Sequence, residues 1–127
     1  DLKEWIVEYW KHTSMNLDIV LELKQSNIEL DPLVKAQLIF IIKEINNNIA
    51  KHAQATVLKF RIEEVDHSNF LIIFSDNGVG FSKTQNSNGH GLDGIKSRME
   101  KIGGFVEIAS KAGEGVHYRL YCKNKIA

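Results

Sequence analysis

The spacing of hydrophobic positions changes several times along the chain, and each spacing predicts one type of element. From Leu2 to Trp10 apolar side chains recur at helical spacing, which predicts a short amphipathic helix. From Leu17 to Leu23 they alternate with mostly polar neighbours, as in a half-buried strand. Asp31 and Pro32 then supply an N-cap and a first helical residue for a second helix, which we expect to extend to about His52.

The second half of the pattern predicts a mixed order of strands and helix. It indicates strands near 56–63 and 70–75, a helix over 92–102, and a final hairpin of strands 105–110 and 116–122 around the turn KAGEG. The segment Phe70 to Ser75 is almost wholly apolar, so we expect it at the centre of the sheet. Because a terminal hairpin argues against a purely parallel sheet, the predicted fold is a two-layer α/β sandwich with a mixed sheet.

Length and composition favour one globular domain over residues 1–127, with about the first 15 residues as a leading helix. The chain begins at Asp1 without methionine and inside a helical pattern, so we expect a piece of a longer protein. Cys122 is the single cysteine, which excludes an internal disulfide and a cysteine-rich zinc site. We expect it to be packed on the terminal strand of a protein from a reducing compartment.

The charge balance limits the classes of partner. The 16 basic residues equal the 16 acidic ones in number, so the chain has no broad positive field for nucleic acid or a membrane surface. No apolar run approaches the roughly 20 residues needed to span a bilayer, and no signal peptide is recognisable. Any polyanionic ligand must therefore be held locally.

A polar stripe interrupts the apolar pattern of the second helix within EINNNIAKH. At about 100° per residue, Asn46 and Asn47 point away from this stripe, and we expect both to be solvated. The stripe lies along the border of the core-facing surface, where its residues could act together in a binding site. The alternative is a solvated helix face with an ordinary i to i+4 hydrogen bond. The stripe consists of Glu44, Asn48, Lys51 and His52.

An acidic glycine segment, DNGVGF, follows the apolar strand directly. A buried carboxylate is unfavourable unless it is paired, so Asp76 should have a partner or a ligand. Gly78 and Gly80 have no side chains and would let a flat or anionic ligand approach the backbone. The alternative is a simple Asn-Gly hairpin turn.

A second glycine segment, Gly89-His90-Gly91, leads into the helix that begins near Leu92. Backbone amides and the positive dipole end at a helix N-terminus suit phosphate oxygens, although such a loop has many other causes. The polar stretch SKTQNSN between the two glycine segments has the composition of a lid, or of an ordinary surface loop.

In this order, EINNNIAKH, DNGVGF and GHGLDGIKSRM resemble the N-box and the two glycine boxes of the gyrase, heat-shock chaperone, histidine kinase and MutL ATP-binding superfamily, the Bergerat fold. The segment GGFVEIASKAGEGVHYRL is similar to its terminal strand pair, so the resemblance covers nearly the whole chain from about Leu17. The GHGLxGIxxRM pattern, the short lid and the KH pair most resemble the catalytic domain of bacterial sensor histidine kinases, in the subfamily of nitrate and membrane-fluidity sensors.

The resemblance implies a site for ATP and Mg²⁺. It makes Asn48 the Mg²⁺ ligand, and it places Lys51 at the phosphates and His52 near the ribose or the phosphates. Asp76 would accept the exocyclic amine of adenine. Glu44 is a candidate general base.

The glycine boxes would complete this site. Gly78 and Gly80 would shape the adenine pocket, and the phosphate end would be formed by Gly89, His90, Gly91 and Leu92. Val116 departs from the family pattern, which often has threonine after the glycine. That departure weakens the assignment of the phosphate end but leaves the strand intact.

The function implied is phosphotransfer to a histidine, with a response regulator as the downstream partner. The acceptor histidine would lie on a separate dimerising helical hairpin, which we expect upstream of this segment. His12 lacks an adjacent acidic residue, and His67 and His117 have the pattern of loop and strand surface positions, so none of the three qualifies as the acceptor. The segment itself is expected to be cytoplasmic, and membrane anchoring of the intact protein stays open.

Two alternatives remain at the level of sequence. One is an anti-sigma-factor-like kinase that phosphorylates serine, or an ATPase of the same fold. The other is an interaction module that has lost nucleotide binding. The joint presence of Glu44, Asn48, Asp76 and the glycines argues against the second alternative.

Overall fold

The computed structural model describes residues 2–11, 18–23, 29–49, 56–79, 92–111 and 113–125. Three helices and five strands lie within these ranges. In chain order they are α1 (Leu2–Lys11), β1 (Asp18–Leu23), α2 (Pro32–Asn48), β2 (Val57–Glu64), β3 (Asn69–Asp76), α3 (Leu92–Lys101), β4 (Phe105–Lys111) and β5 (Gly115–Lys123). Every predicted helix and strand is therefore present, with boundaries that differ by a few residues.

The five strands form one sheet in the order β1-β2-β3-β5-β4. β1 pairs with β2 in parallel, and the pairs β2/β3, β3/β5 and β4/β5 are antiparallel. A parallel pair needs a crossover connection, which here contains α2. The mixed sheet is confirmed, as is the central position of the apolar strand β3.

The core lies between one face of this sheet and the three helices. Buried side chains alternate along β3, with Phe70, Ile72 and Phe74 facing inward, and those of β5 alternate in the same way. They join one cluster with apolar residues of all three helices, including Ile6 of α1 and Ile95 of α3. The helices therefore cover a single face, which confirms the two-layer arrangement.

Helix α2 carries Glu44 and Asn48, the two described residues of the polar stripe, and it begins where the sequence predicts. The Asp31 carboxylate accepts a hydrogen bond from the backbone N–H of Leu33 at 2.8 Å, and Pro32 is the first helical residue. The backbone N–H of Asp31 also donates to the carbonyl of Asn124 at 2.9 Å. The described helix ends at Asn48, and the predicted continuation to His52 lies outside the described residues.

The expected solvation of Asn46 is wrong, whereas Asn47 is exposed as predicted. Asn46 is only 7% exposed, and its Nδ2 donates to the Tyr9 hydroxyl of α1 at 2.9 Å. On the helical wheel Asn46 lies at about 200° from Glu44, on the side of α2 that faces away from the polar stripe. Helix α1 covers that side of α2, and the wheel could not reveal this.

The final hairpin and the end of α3 depend on glycine at particular positions. Gly103, which follows α3, has φ 73°, and Gly113 and Gly115 in the β4–β5 turn have φ 82° and 85°. These conformations strain residues with a Cβ atom.

Cys122 is buried on β5 as predicted, and burial raises the pKa of its thiol. None of the described helices combines the length and hydropathy needed to cross a membrane.

Candidate functional site

The carboxylate of Asp76 is buried at the end of the central strand. Its side chain is 5% exposed, and Oδ1 accepts a hydrogen bond from the backbone N–H of Gly78 at 2.8 Å. Burial raises the pKa of Asp76, while hydrogen bonds from the backbone of Gly78 and Val116 and the nearby His117 oppose that shift. The predicted partners of this carboxylate are therefore backbone amides.

The β4–β5 turn lies directly against Asp76. A Cβ atom at Gly115 would be 1.9 Å from the Asp76 carbonyl oxygen and 3.0 Å from Oδ1, so only glycine allows this approach. Next to it, the backbone N–H of Gly113 donates to the carbonyl of Val79 at 2.7 Å. The turn thus holds both the aspartate and the start of the glycine segment that follows it.

On the other side, the glycine segment is tied to β2. The Asn77 side-chain oxygen Oδ1 accepts from the backbone N–H groups of Thr56 and Val57, each at 2.9 Å. Because β3 pairs with β2 and β5, Asn77 and Gly78 do not form the tight hairpin that was the alternative interpretation. Gly78 is buried in this arrangement.

The C-terminal end of α2 brings Glu44 and Asn48 of the polar stripe to the same region. Glu44 is half-buried and Asn48 is 5% exposed. The Nδ2 atom of Asn48 donates to the hydroxyl of Tyr118 on β5 at 3.3 Å. The oxygen Oδ1 is then the atom that Asn48 can offer to a ligand.

Tyr118 links these groups, and the sequence analysis did not identify it. Burial raises the pKa of Tyr118 to about 12, the hydrogen bond from Asn48 opposes the shift, and the negative charges of Asp76 and Glu44 add to it. Both carboxylates are thus electrostatic neighbours of one buried hydroxyl. A usable signal existed, because a tyrosine among the inward-facing apolar positions of β5 needs a polar partner for its hydroxyl.

The arrangement suits a ligand that has both a hydrogen-bonding base and an anionic end bound through a metal. Asp76 offers an acceptor beside the backbone of Gly78 and Gly115, and Asn48 offers an amide oxygen, a suitable ligand for a hard cation. Among the described residues no group of three or more His, Cys, Asp or Glu side chains could hold a metal ion. This donor set fits an Mg²⁺ ion that takes most of its oxygens from phosphates and water.

Seven further predicted site residues comprise Leu92, which the structure describes, and six that lie outside the described residues. Leu92 is the buried first residue of α3, and its contact with phosphates stays a prediction. The others lie outside the described residues: Lys51, His52, Gly80, Gly89, His90 and Gly91. The expected contacts of these six residues likewise stay predictions.

The surface positions predicted for His67 and His117 are confirmed, since both side chains are exposed. His117 Nδ1 makes a short hydrogen bond with the Ser75 hydroxyl on the open face of the sheet. His12 lies outside the described residues.

A comparison with protein families finds one family that matches most of the chain, including this region. Residues 34–126 match the family described as histidine kinase-, DNA gyrase B- and HSP90-like ATPase. The chain belongs to this ATPase family. The matched range contains the polar stripe of α2, both glycine segments and the final hairpin. The family assignment predicted from those motifs is confirmed.

The individual proteins to which this chain is similar include a histidine-protein kinase/phosphatase and a nitrate/nitrite sensor. The chain is 30% identical over 115 residues to the signal transduction histidine-protein kinase/phosphatase DegS of Brevibacillus brevis, covering 90% of this chain and 29% of DegS. It is 28% identical over 115 residues to the nitrate/nitrite sensor protein NarQ of Escherichia coli, covering 90% of this chain and 20% of NarQ. NarQ is named as a nitrate/nitrite sensor, which agrees with the subfamily of nitrate sensors predicted from the sequence.

A solved structure agrees on the fold. The histidine kinase AdeS of Acinetobacter baumannii superimposes with a TM-score of 0.76 at 16% identity, over 97% of this chain and 63% of that structure. At this identity the match bears on the fold alone, and it supports the predicted α/β sandwich. The chain spans less than a third of the length of the DegS and NarQ proteins that it matches.

Proposed function

We propose that this chain is the ATP-binding catalytic domain of a sensor histidine kinase, which binds Mg-ATP and supplies its γ-phosphoryl group to a histidine on a separate part of the protein. The observation that carries this proposal is the convergence of Asp76, Asn48 and Glu44 around Tyr118. These residues come from distant parts of the sequence. Membership of the ATPase family gives the convergence its chemical meaning.

Asp76 is the proposed adenine-recognition residue. Its ionised carboxylate accepts a hydrogen bond from the exocyclic amine of adenine, which guanine does not present at the same position. The backbone of Gly78 lies against this carboxylate, and a glycine there places no side chain against a flat base. Gly115 allows the β4–β5 turn to pack on the backbone of Asp76. Adenine nucleotides should therefore bind more tightly than guanine nucleotides.

Asn48 is the proposed protein ligand of Mg²⁺. Magnesium prefers oxygen ligands and keeps several waters, so one amide oxygen together with the nucleotide phosphates is sufficient. When bound, the ion would neutralise charge on the phosphates of ATP. Lys51, His52 and the residues Gly89, His90, Gly91 and Leu92 are the proposed contacts at the phosphate end.

Glu44 is the proposed general base. In the reaction a bond forms between the γ-phosphorus and the acceptor imidazole nitrogen, the bond to the oxygen bridging the β- and γ-phosphates breaks, and ADP leaves with that electron pair. The imidazole must lose its other N–H proton, and a half-buried carboxylate on α2 can accept it.

The partners proposed are a dimerising domain with the acceptor histidine, upstream in the longer protein, and a response regulator that receives the phosphoryl group. Because these are the partners of a sensor histidine kinase, we also place this domain in the cytoplasm. The relatives DegS and NarQ extend well beyond the matched segment, which leaves room for such domains.

Nucleotide titration of this chain tests the binding part of the proposal. Wild type should bind ATP more tightly with Mg²⁺ than with EDTA, and more tightly than GTP. Asp76→Asn should weaken binding of every adenine nucleotide at least tenfold, because an amide group replaces part of the acceptor. Asn48→Ala should mainly remove the dependence on Mg²⁺.

Asn47→Ala is the matched control, because Asn47 is the exposed neighbour of Asn48 on the same helix and should bind as wild type does. Equal affinity for ATP and GTP would contradict the adenine assignment. In the full-length protein, phosphate that is labile in acid and stable in base indicates a histidine acceptor. Acid-stable phosphate would instead support the serine kinase.

A further inference from the structure

Tyr118 has a position that its packing alone does not explain. It is a fully buried side chain of β5, 1% exposed, at an inward position among apolar residues. A phenylalanine would fill the same volume without placing a hydroxyl in the core. The hydroxyl contacts Asn48, and the charges that act on it belong to Asp76 and Glu44.

We infer that Tyr118 is a positioning residue for metal binding, whose hydroxyl holds the Asn48 amide with its oxygen turned towards the cation. This inference rests on the proposed function, since it assumes that Asn48 binds Mg²⁺. It adds a role for a residue on the opposite layer of the fold.

The argument begins with the two orientations of an asparagine amide. Rotation by 180° exchanges Oδ1 and Nδ2, which are nearly equal in shape but opposite in hydrogen bonding. Only Oδ1 can bind Mg²⁺, because the NH₂ group is a donor and presents no lone pair of use to a cation. A partner that accepts from Nδ2 therefore selects the orientation that can bind the metal.

The surroundings of Tyr118 make its hydroxyl such an acceptor. A hydroxyl that accepts a bond from Asn48 must direct its own proton elsewhere, and the carboxylates Glu44 and Asp76 are the negative groups that act on it. The hydroxyl oxygen then has a lone pair free to accept from Nδ2, which is the hydrogen bond that the structure shows at 3.3 Å.

The arrangement is analogous to the outer-shell partners that orient metal-ligating histidines and carboxylates, whose loss typically weakens metal affinity by about 10- to 100-fold. Here the partner comes from β5, while the ligand comes from α2. Tyr118 would thus connect metal binding to the strand that also carries Gly115 and the backbone amide bound to Asp76.

Tyr118→Phe tests this role, because it removes only the hydroxyl. Binding of ATP is titrated once against Mg²⁺ concentration and once in EDTA. We expect the Mg²⁺ concentration for half-maximal stimulation to rise about tenfold, while the affinity for ATP in EDTA changes less than about twofold. Tyr121→Phe is the control, since Tyr121 lies on the same strand but stacks on Phe105 at 4.4 Å between ring centroids. It should leave both titrations unchanged.

The outcomes separate the inference from the proposed function. If wild type binds no ATP or shows no response to Mg²⁺, the proposed function fails and this inference with it. If wild type responds and Tyr118→Phe responds identically, the inference alone is overturned. A variant that loses affinity equally in Mg²⁺ and EDTA would reveal a packing role only, and would also overturn it.

Discussion

At the scale of single residues, the buried polar groups contain most of the information about function. Asp76 was recognisable from the sequence, because a carboxylate directly after an apolar strand requires a partner. Its partners are backbone amides, and a backbone amide has no signature in a sequence. Tyr118 and Asn46 were missed for a related reason, since each becomes notable only through a hydroxyl or amide on another element.

The raised pKa of Asp76 predicts a specific dependence of stability on pH. A folded-state pKa above the unfolded value means that this group favours the folded state below the unfolded pKa of about 3.9, and that this contribution is lost as pH rises through the folded pKa. The Asp76→Asn variant has no ionisable side chain at this position. The difference between its melting temperature and that of wild type should therefore shift in favour of the variant between about pH 4 and pH 7. Thermal unfolding across this range measures the difference.

Asp66 provides a control of opposite sign. Hydrogen bonds from Asn69 and Ser68 lower the pKa of this exposed carboxylate, so its contribution is present above the unfolded pKa and is lost in acid. Asp66→Asn should therefore lose melting temperature relative to wild type as pH rises over the same range. Parallel curves for the two variants would refute the assignment of the Asp76 shift to burial.

The contact between Tyr9 and Asn46 predicts a coupled pair of substitutions. Asn46 Oδ1 is buried and has no hydrogen-bond partner among the described residues, while Asn46 Nδ2 donates to the Tyr9 hydroxyl. Tyr9→Phe should cost about 1–3 kcal/mol of unfolding free energy, because it leaves buried Nδ2 unpaired. Adding Asn46→Leu should recover much of that loss, since the buried amide is then gone. Urea unfolding of the two single variants and the double variant measures the coupling, and strictly additive losses would disprove it.

At the scale of elements, periodicity and turn residues were sufficient to locate each helix and strand in the described part of the chain. Apolar spacing marked α3 and β3, and glycines marked the ends of α3 and the final turn. What periodicity could not supply is the packing of one element on another. The cover that α1 provides for α2 is one example, and the contact of Arg98 with Gln37 and Phe40 between α3 and α2 is another.

Three glycines with different surroundings give a graded prediction. Gly115→Ala should destabilise the fold by at least about 2 kcal/mol, because it combines a positive φ with a clash against Asp76. Gly113→Ala also has a positive φ, but no atom of the described residues lies within 4 Å of its Cβ position, so it should destabilise the fold less. Gly94→Ala, in α3 with no atom of the described residues within 4 Å of its Cβ position, should stabilise the fold by about 0.4–1 kcal/mol. Chemical unfolding ranks the three, and any other order would contradict this account.

At the scale of the whole molecule, the order of motifs along the chain predicted the site better than any motif alone. The polar stripe and the two glycine segments each had an ordinary alternative explanation. Their joint resemblance to one ATPase family led to the adenine and metal assignments, and the fold then brought Asp76 and the end of α2 to a common neighbour in Tyr118. The sequence could not reveal that neighbour, because Tyr118 is 70 residues away from its hydrogen-bond partner Asn48 along the chain.

The strand order also has a consequence for how the site comes into existence during synthesis. β3 is paired on one side by β5, the last of the described strands to leave the ribosome, and β5 carries Tyr118, Val116 and Gly115. Until that strand emerges, Asp76 has neither its second amide nor the turn that encloses it. A nascent chain stopped before Gly115 could form α2 and the β2–β3 pair, yet it should be unable to retain nucleotide.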